Sequence, residues 1–222
     1  MRLLRPLLFL LLLLPALSQA EERIITLDDG SEVLVFMFYP EFHGEGPWPL
    51  VVHMSGGKAD EYVVRAQFWL GRELTSRGWA IAFPVSPDAN AFFGDNAKKI
   101  PQIVQQLQED PNIQDGKTLI AGVSNGGTSA IEIASHNPER YFGVVAVPGT
   151  VREDAQLGNF DGLPIFLRIG ENDYLRWNRL LPSIEKKLSN AGANVNAKLM
   201  PGEKHIFAID WGELQPWLES IR

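Results

Sequence analysis

The chain of 222 residues contains no cysteine and only 4 histidines, and its 27 acidic residues outnumber its 20 basic ones. Without cysteine there is no disulfide, no thiolate nucleophile and no thiolate metal site, so stability has to come from a packed core. The histidines are scattered: no His-Glu-x-x-His pair or close His/Asp cluster occurs, which argues against a resident metal. Neither a GxxxxGK[ST] phosphate loop nor a GxGxxG dinucleotide turn is found, so the sequence calls for no cofactor. The negative balance speaks against nucleic acid and anionic membrane surfaces as partners. Long apolar runs are missing as well; Leu7 to Leu14 falls well short of the roughly 20 residues that span a bilayer.

That run belongs to the opening "MRLLRPLLFLLLLLPALSQA", in which Arg2 and Arg5 precede the apolar stretch and the small residues Ser18 and Ala20 follow it. This order of charge, apolar run and small residues is that of a secretory signal cleaved after Ala20. The expected organisation is therefore residues 1–20 as signal and 21–222 as one catalytic domain, with no stable membrane anchor. Loss of Arg2 and Arg5 would leave 18 basic against 27 acidic residues, a formal charge of −9. An exported protein without cysteine suits a bacterial periplasm or culture medium.

With 45% hydrophobic residues, the remaining chain has enough apolar material for one sizeable core. Strand-like and helix-like segments alternate along it. "ERIITL" and "SEVLVFMFY" flank the turn signal Asp28-Asp29-Gly30 and predict an opening hairpin. "PLVVHM", "WAIAFP", "KTLIAGV", "FGVVAV", "LPIFLRIG" and "NVNAKLM" read as further strands, the apolar ones as buried parallel strands. Between them lie helical patterns: one over "YVVRAQFWLGRELTSRG" with Ala66, Leu70 and Leu74 on a face, and one with Ile100, Ile103, Val104 and Leu107. Others follow in "NGGTSAIEIASHNPE", in "LPSIEKKLSNAGA" opened by Pro182, and in "IFAIDWGELQPWLESI". The pattern predicts an α/β fold with a mostly parallel twisted sheet and helices on both faces, whose ligands bind at the carboxyl ends of the strands.

At the junction of "KTLIAGV" with the next helix stands Gly122-x-Ser124-x-Gly126. Small neighbours let strand and helix approach closely enough to hold a serine on a sharp turn, as a nucleophile elbow requires. On these residues the chain resembles the α/β-hydrolase fold family, and "DGKTLIAGVSNGGTSAIEIASHNPERYFGVVAV" looks most like secreted esterases of the polyhydroxybutyrate-depolymerase and feruloyl-esterase type. The resemblance implies a nucleophile, acid, histidine order along the chain. His205, after the last strand, fills the histidine position, whereas His136 lies near the end of the elbow helix. Asp173 is the expected acid, with Glu171 as its competitor and Glu153 and Asp154 as a less favoured placement. The resemblance also places an oxyanion loop in "HMSGGK", where Met54 and Ser55 replace the family's first glycines and either could supply the amide that joins that of Asn125.

Loops at Met54–Asp60, Ser86–Asp95, Pro148–Leu163 and Asp173–Trp177 should surround the serine, with Phe92, Phe93, Tyr174 and Trp177 as candidate substrate-binding residues. The third of these loops has no helical pattern, which predicts a site without a large lid. The expected activity is cleavage of a small-molecule or polymer-derived ester through an acyl-enzyme. A serine peptidase or thioesterase would use the same triad, and a silent binding protein would share the fold.

Overall fold

The computed structural model describes residues 20–41 and 44–222, except the side chains of residues 70–72. The expected signal segment, residues 1–20, lies outside the described residues apart from Ala20.

Alternation along the strands assigns residues to the two sheet faces. In β2 (Glu32–Phe38), Val33, Val35 and Met37 enter one buried cluster while Phe36 and Phe38 enter another. The same division splits Leu50, Val52 and Met54 from Val51 in β3 (Leu50–Met54). With β1 (Glu21–Thr26), β4 (Ala80–Pro84), β5 (Thr118–Gly122), β6 (Tyr141–Ala146), β7 (Pro164–Gly170) and β8 (Asn194–Met200), they form one sheet of order β1-β2-β4-β3-β5-β6-β7-β8. The hairpin β1–β2 and the pair β2–β4 are antiparallel, and the remaining pairs are parallel. Both β3 and β5 are buried along their whole length, as their mostly apolar character requires.

Helices cover both faces. Their numbering is α1 (Glu61–Ala66), α2 (Trp69–Thr75), α3 (Lys99–Leu107), α4 (Asn125–Ala134), α5 (Trp177–Asn190) and α6 (Trp211–Ser220). Ile100, Ile103, Val104 and Leu107 of α3 pack with α4 and α5 on one face; Val64, Leu74, Leu214 and Leu218 carry α1, α2 and α6 onto the other.

Two boundaries differ from the sequence pattern. The long helix expected over residues 62–78 is broken into α1 and α2 by a turn at Gln67 and Phe68; Ala66 is exposed, and the Leu70 side chain lies outside the described ones. The break lets the Gln67 side chain bond the Gly56 backbone. Helix α5 begins at Trp177 rather than at Pro182, because a proline inside the second turn removes one backbone hydrogen bond without preventing an earlier start. Between β6 and β7, residues 149–163 form turns and extended chain with no helix, so no lid stands on that connection.

Candidate active site

The turn between β5 and α4 holds Ser124 at φ +55° and ψ −116°, a conformation that a residue with a Cβ adopts only when its surroundings impose it. Those surroundings are backbone. The Ser124 N–H donates to the Pro148 carbonyl at 2.8 Å, and the Val123 N–H to that of Met54 at 3.2 Å. A Cβ on Gly126 would sit 2.0 Å from the Met54 carbonyl oxygen, and one on Gly122 would sit 2.3 Å from the Gly126 carbonyl carbon. The glycines on either side of the serine are therefore places where chains touch.

Asp173 and His205 reach Ser124 from the loops after β7 and β8, at the same carboxyl end of the sheet. The His205 ring places Nε2 2.8 Å from Ser124 Oγ and Nδ1 2.8 Å from Asp173 Oδ2. Both side chains are buried, and the other Asp173 oxygen accepts from the Leu175 N–H at 2.7 Å, so the carboxylate is fixed on both oxygens. Glu171 does not approach the histidine; its exposed carboxylate accepts from the Gly202 N–H at 2.8 Å and fastens the acid loop to the histidine loop. Two backbone bonds add to this, Glu171 N–H to Met200 O at 2.9 Å and Asn172 N–H to Glu203 O at 2.7 Å. Glu153 and Asp154 are exposed, Asp154 pairs with Arg152, and His136 is exposed.

The two candidate amides, those of Met54 and Ser55, are placed differently. In an extended strand the N–H and C=O of one residue point to the same side, and the Met54 carbonyl accepts from Val123 beyond the end of β5; its N–H thus belongs to the β3–β5 ladder. Ser55 lies just past the strand, and its N–H and that of Asn125 have no hydrogen-bond partner among the described residues. The Ser55 hydroxyl is likewise buried without a partner. Because Asn125 begins α4, the positive end of the helix dipole faces the same spot.

A residue that the sequence reading missed holds this loop in place. Gln67 Oε1 accepts from the Gly56 N–H at 2.8 Å, and its Nε2 donates to the Gly56 carbonyl at 3.3 Å. Gly56 in turn lies against the nucleophile: a Cβ there would be 3.2 Å from Ser124 Cβ. One residue further, Asn125 Nδ2 donates to the Gly57 carbonyl at 3.1 Å. The break between α1 and α2 brings the Gln67 amide to this backbone. The available signal was a polar residue three positions after the buried Val64, on the inward stripe of a helix.

The expected substrate-binding aromatics separate. Tyr174 is 70% exposed with its ring 5.1 Å from that of His205, and the partly buried Trp177 meets the same imidazole edge-on at 4.9 Å. Phe93 lines a cleft of about 700 Å³ beside Asn125 and carries the Arg152 guanidinium over its ring at 4.5 Å. Phe92 is corrected: at 1% exposure it packs into the core, since consecutive residues of that loop point to opposite sides and only Phe93 turns outward.

A serine at a strand-to-helix elbow on this sheet, with helices on both faces, defines a serine hydrolase of the α/β-hydrolase fold. More particularly, the chain belongs to the phospholipase/carboxylesterase family, whose model matches residues 78–221. The match is at that level and does not single out the polyhydroxybutyrate-depolymerase or feruloyl-esterase type. No curated protein matched the chain in sequence. Among solved structures, the Bacillus cereus carboxylesterase is similar over 85% of this chain and 94% of its own, with a TM-score of 0.65 and 16% identity. An S-formylglutathione hydrolase from Agrobacterium tumefaciens is similar over 90% and 93%, with a TM-score of 0.70 and 14% identity. A thermostable esterase is matched over 82% of this chain, which spans only 54% of that structure, with a TM-score of 0.63 and 18% identity.

Proposed function

We propose that the protein is an exported hydrolase of carboxylic esters, working after removal of residues 1–20 and without a membrane anchor, nucleic acid or cofactor. The observation that supports this most is the unbroken contact from Ser124 Oγ through His205 to Asp173, 2.8 Å on each side of the ring. His205 takes the proton of Ser124 as the oxygen attacks the ester carbonyl, and Asp173 steadies the imidazolium that results. The tetrahedral oxyanion is received by the N–H groups of Ser55 and Asn125. His205 then passes its proton to the departing alcohol, and water, activated by the same ring, releases the acyl group. Small esters, free or derived from a polymer, are the substrates that an open cleft of this kind would admit.

A fluorophosphonate probe tests the nucleophile directly. By intact mass, the folded wild-type protein should gain one adduct and Ser124→Ala none, with ester hydrolysis lost in Ser124→Ala and His205→Ala. A folded wild type that neither labels nor hydrolyses any ester in a panel of esters, thioesters and peptide amides would leave the chain a binding protein on a hydrolase fold.

A further inference from the structure

The cleft beside Asn125 is lined by polar groups of both kinds, and this follows from how its asparagines are held. Asn90 Nδ2 donates to Asp88 Oδ2 at 3.1 Å, Asn96 Nδ2 to Asp88 Oδ1 at 2.9 Å, and Asn125 Nδ2 to the Gly57 carbonyl at 3.1 Å. A carboxylate and a carbonyl only accept, so each amide must turn its nitrogen toward them. Each asparagine keeps its carbonyl oxygen, and Asn90 and Asn125 keep a second amide N–H besides, so the wall offers acceptors and donors together. Asp88 itself is consumed in shaping the loop, since it also accepts from the Ser86 hydroxyl at 2.7 Å and the Asn90 N–H at 3.0 Å. A ligand that suits this wall both donates and accepts hydrogen bonds. Lys58, Asp88 and Asp95 all line the cleft, so its charges are mixed, and an uncharged group that both donates and accepts, a hydroxyl, is what matches it.

The chemistry of the site says which end of the substrate enters. The leaving alcohol must collect its proton from His205 Nε2 and so departs on the histidine side. That side carries Tyr174, Leu175 and Ile206, exposed by 70%, 48% and 51%. The cleft touches Gly57 and Asn125, next to the oxyanion position, and neither His205 nor its aromatic neighbours line it. Resting on the esterase reading above, we infer that this cleft receives the acyl half of the ester and that the acyl group it selects bears hydroxyls, while the alcohol half lies against the apolar rim around His205.

The test compares benzyl esters of two cyclohexanecarboxylic acids that differ only in a ring substituent trans to and remote from the carboxyl group, hydroxyl in one and methyl in the other. A mirrored pair places the same two rings in the alcohol of an acetate ester. Active sites are counted with the fluorophosphonate. The hydroxylated acyl group should be favoured by about tenfold in kcat/KM, the worth of one well-made hydrogen bond in a partly open site, and the methyl ring should be favoured in the alcohol. In Asn90→Leu and in Asn96→Leu the acyl ratio should fall toward one. Because the ratio is taken within one preparation, partial loss of fold in a variant does not alter it. Labelling and hydrolysis with an acyl ratio of one or below, or a hydroxyl preference confined to the alcohol, would overturn the inference and leave the esterase reading standing. Absence of labelling together with absence of hydrolysis would overturn both.

Discussion

His53 shows how one residue can tie acid stability to the fold. It is the first residue of the "HMSGGK" segment but belongs to β3, where it is buried at 3% exposure, packs 4.9 Å from the Phe83 ring and leaves Nδ1 without a partner. Burial lowers its pKa from 6.5 to about 3, so the folded protein keeps it neutral where the unfolded chain would protonate it. Between those values the unfolded state binds more protons, and stability falls as the pH falls, by up to about 1.4 kcal/mol per pH unit from this group. The contribution is complete above pH 6.5 and gone at about pH 3. His53→Leu should therefore flatten the decline in urea-unfolding free energy between pH 6.5 and pH 4.5, while costing little at pH 7, since it removes an orphaned polar atom. An unchanged acid slope would show that carboxylates alone set it.

At the scale of elements, the oxyanion loop depends on a kink. Gln67 can bond Gly56 on both its N–H and its C=O only because α1 stops at Ala66 and α2 restarts at Trp69. Gln67→Ala should leave Gly56 free to move against Ser124 and misplace the Ser55 amide. We expect a fall in kcat on the order of 10- to 100-fold, less than the loss of a whole oxyanion donor, with KM changed about twofold at most and partial recovery in Gln67→Asn. Equal losses in kcat and melting temperature with no kinetic split would mean that Gln67 only supports the helix junction. This kink was hidden in the sequence, where residues 62–78 carry a continuous helical pattern; the interaction that breaks it is long-range, and local periodicity has no access to such a partner. The strands and the elbow were legible for the opposite reason. Full burial of β3 and β5 demands mostly apolar runs, and chain contact at Gly122 and Gly126 demands glycine. Phe92 and Phe93 could not be told apart without knowing which way a turn faces.

For the whole molecule, the question is how a chain without cysteine fixes its last helix, which follows the histidine loop, to the sheet. One tie is Arg168 of β7, 5% exposed, which donates Nε to Glu213 Oε2 of α6 at 3.0 Å and Nη1 to the Leu167 and Asn196 carbonyls at 3.0 and 2.8 Å. Glu213 also meets Lys198 of β8, so one carboxylate gathers two strands and a helix. Glu213→Ala leaves the buried guanidinium without its counter-charge and should cost about 3 kcal/mol, a fall in Tm of roughly 6–12 °C. Lys198→Ala, at a half-exposed position, should shift Tm little. Calorimetry on both variants separates a buried tie from a surface one.

The missing helix between β6 and β7 bears on water. Serine hydrolases with a mobile cover expel solvent by closing it, and they keep a conformational step in each turnover. Here residues 149–163 form a connection without a helix, and the loops that bear Asp173 and His205 are latched to one another by Glu171 and Asn172. Drying the serine then falls to the substrate, whose own bulk has to cover Tyr174 and the cleft at Phe93. A substrate too small to do so is attacked in a wet site, and the size of the ester takes over the work of a lid.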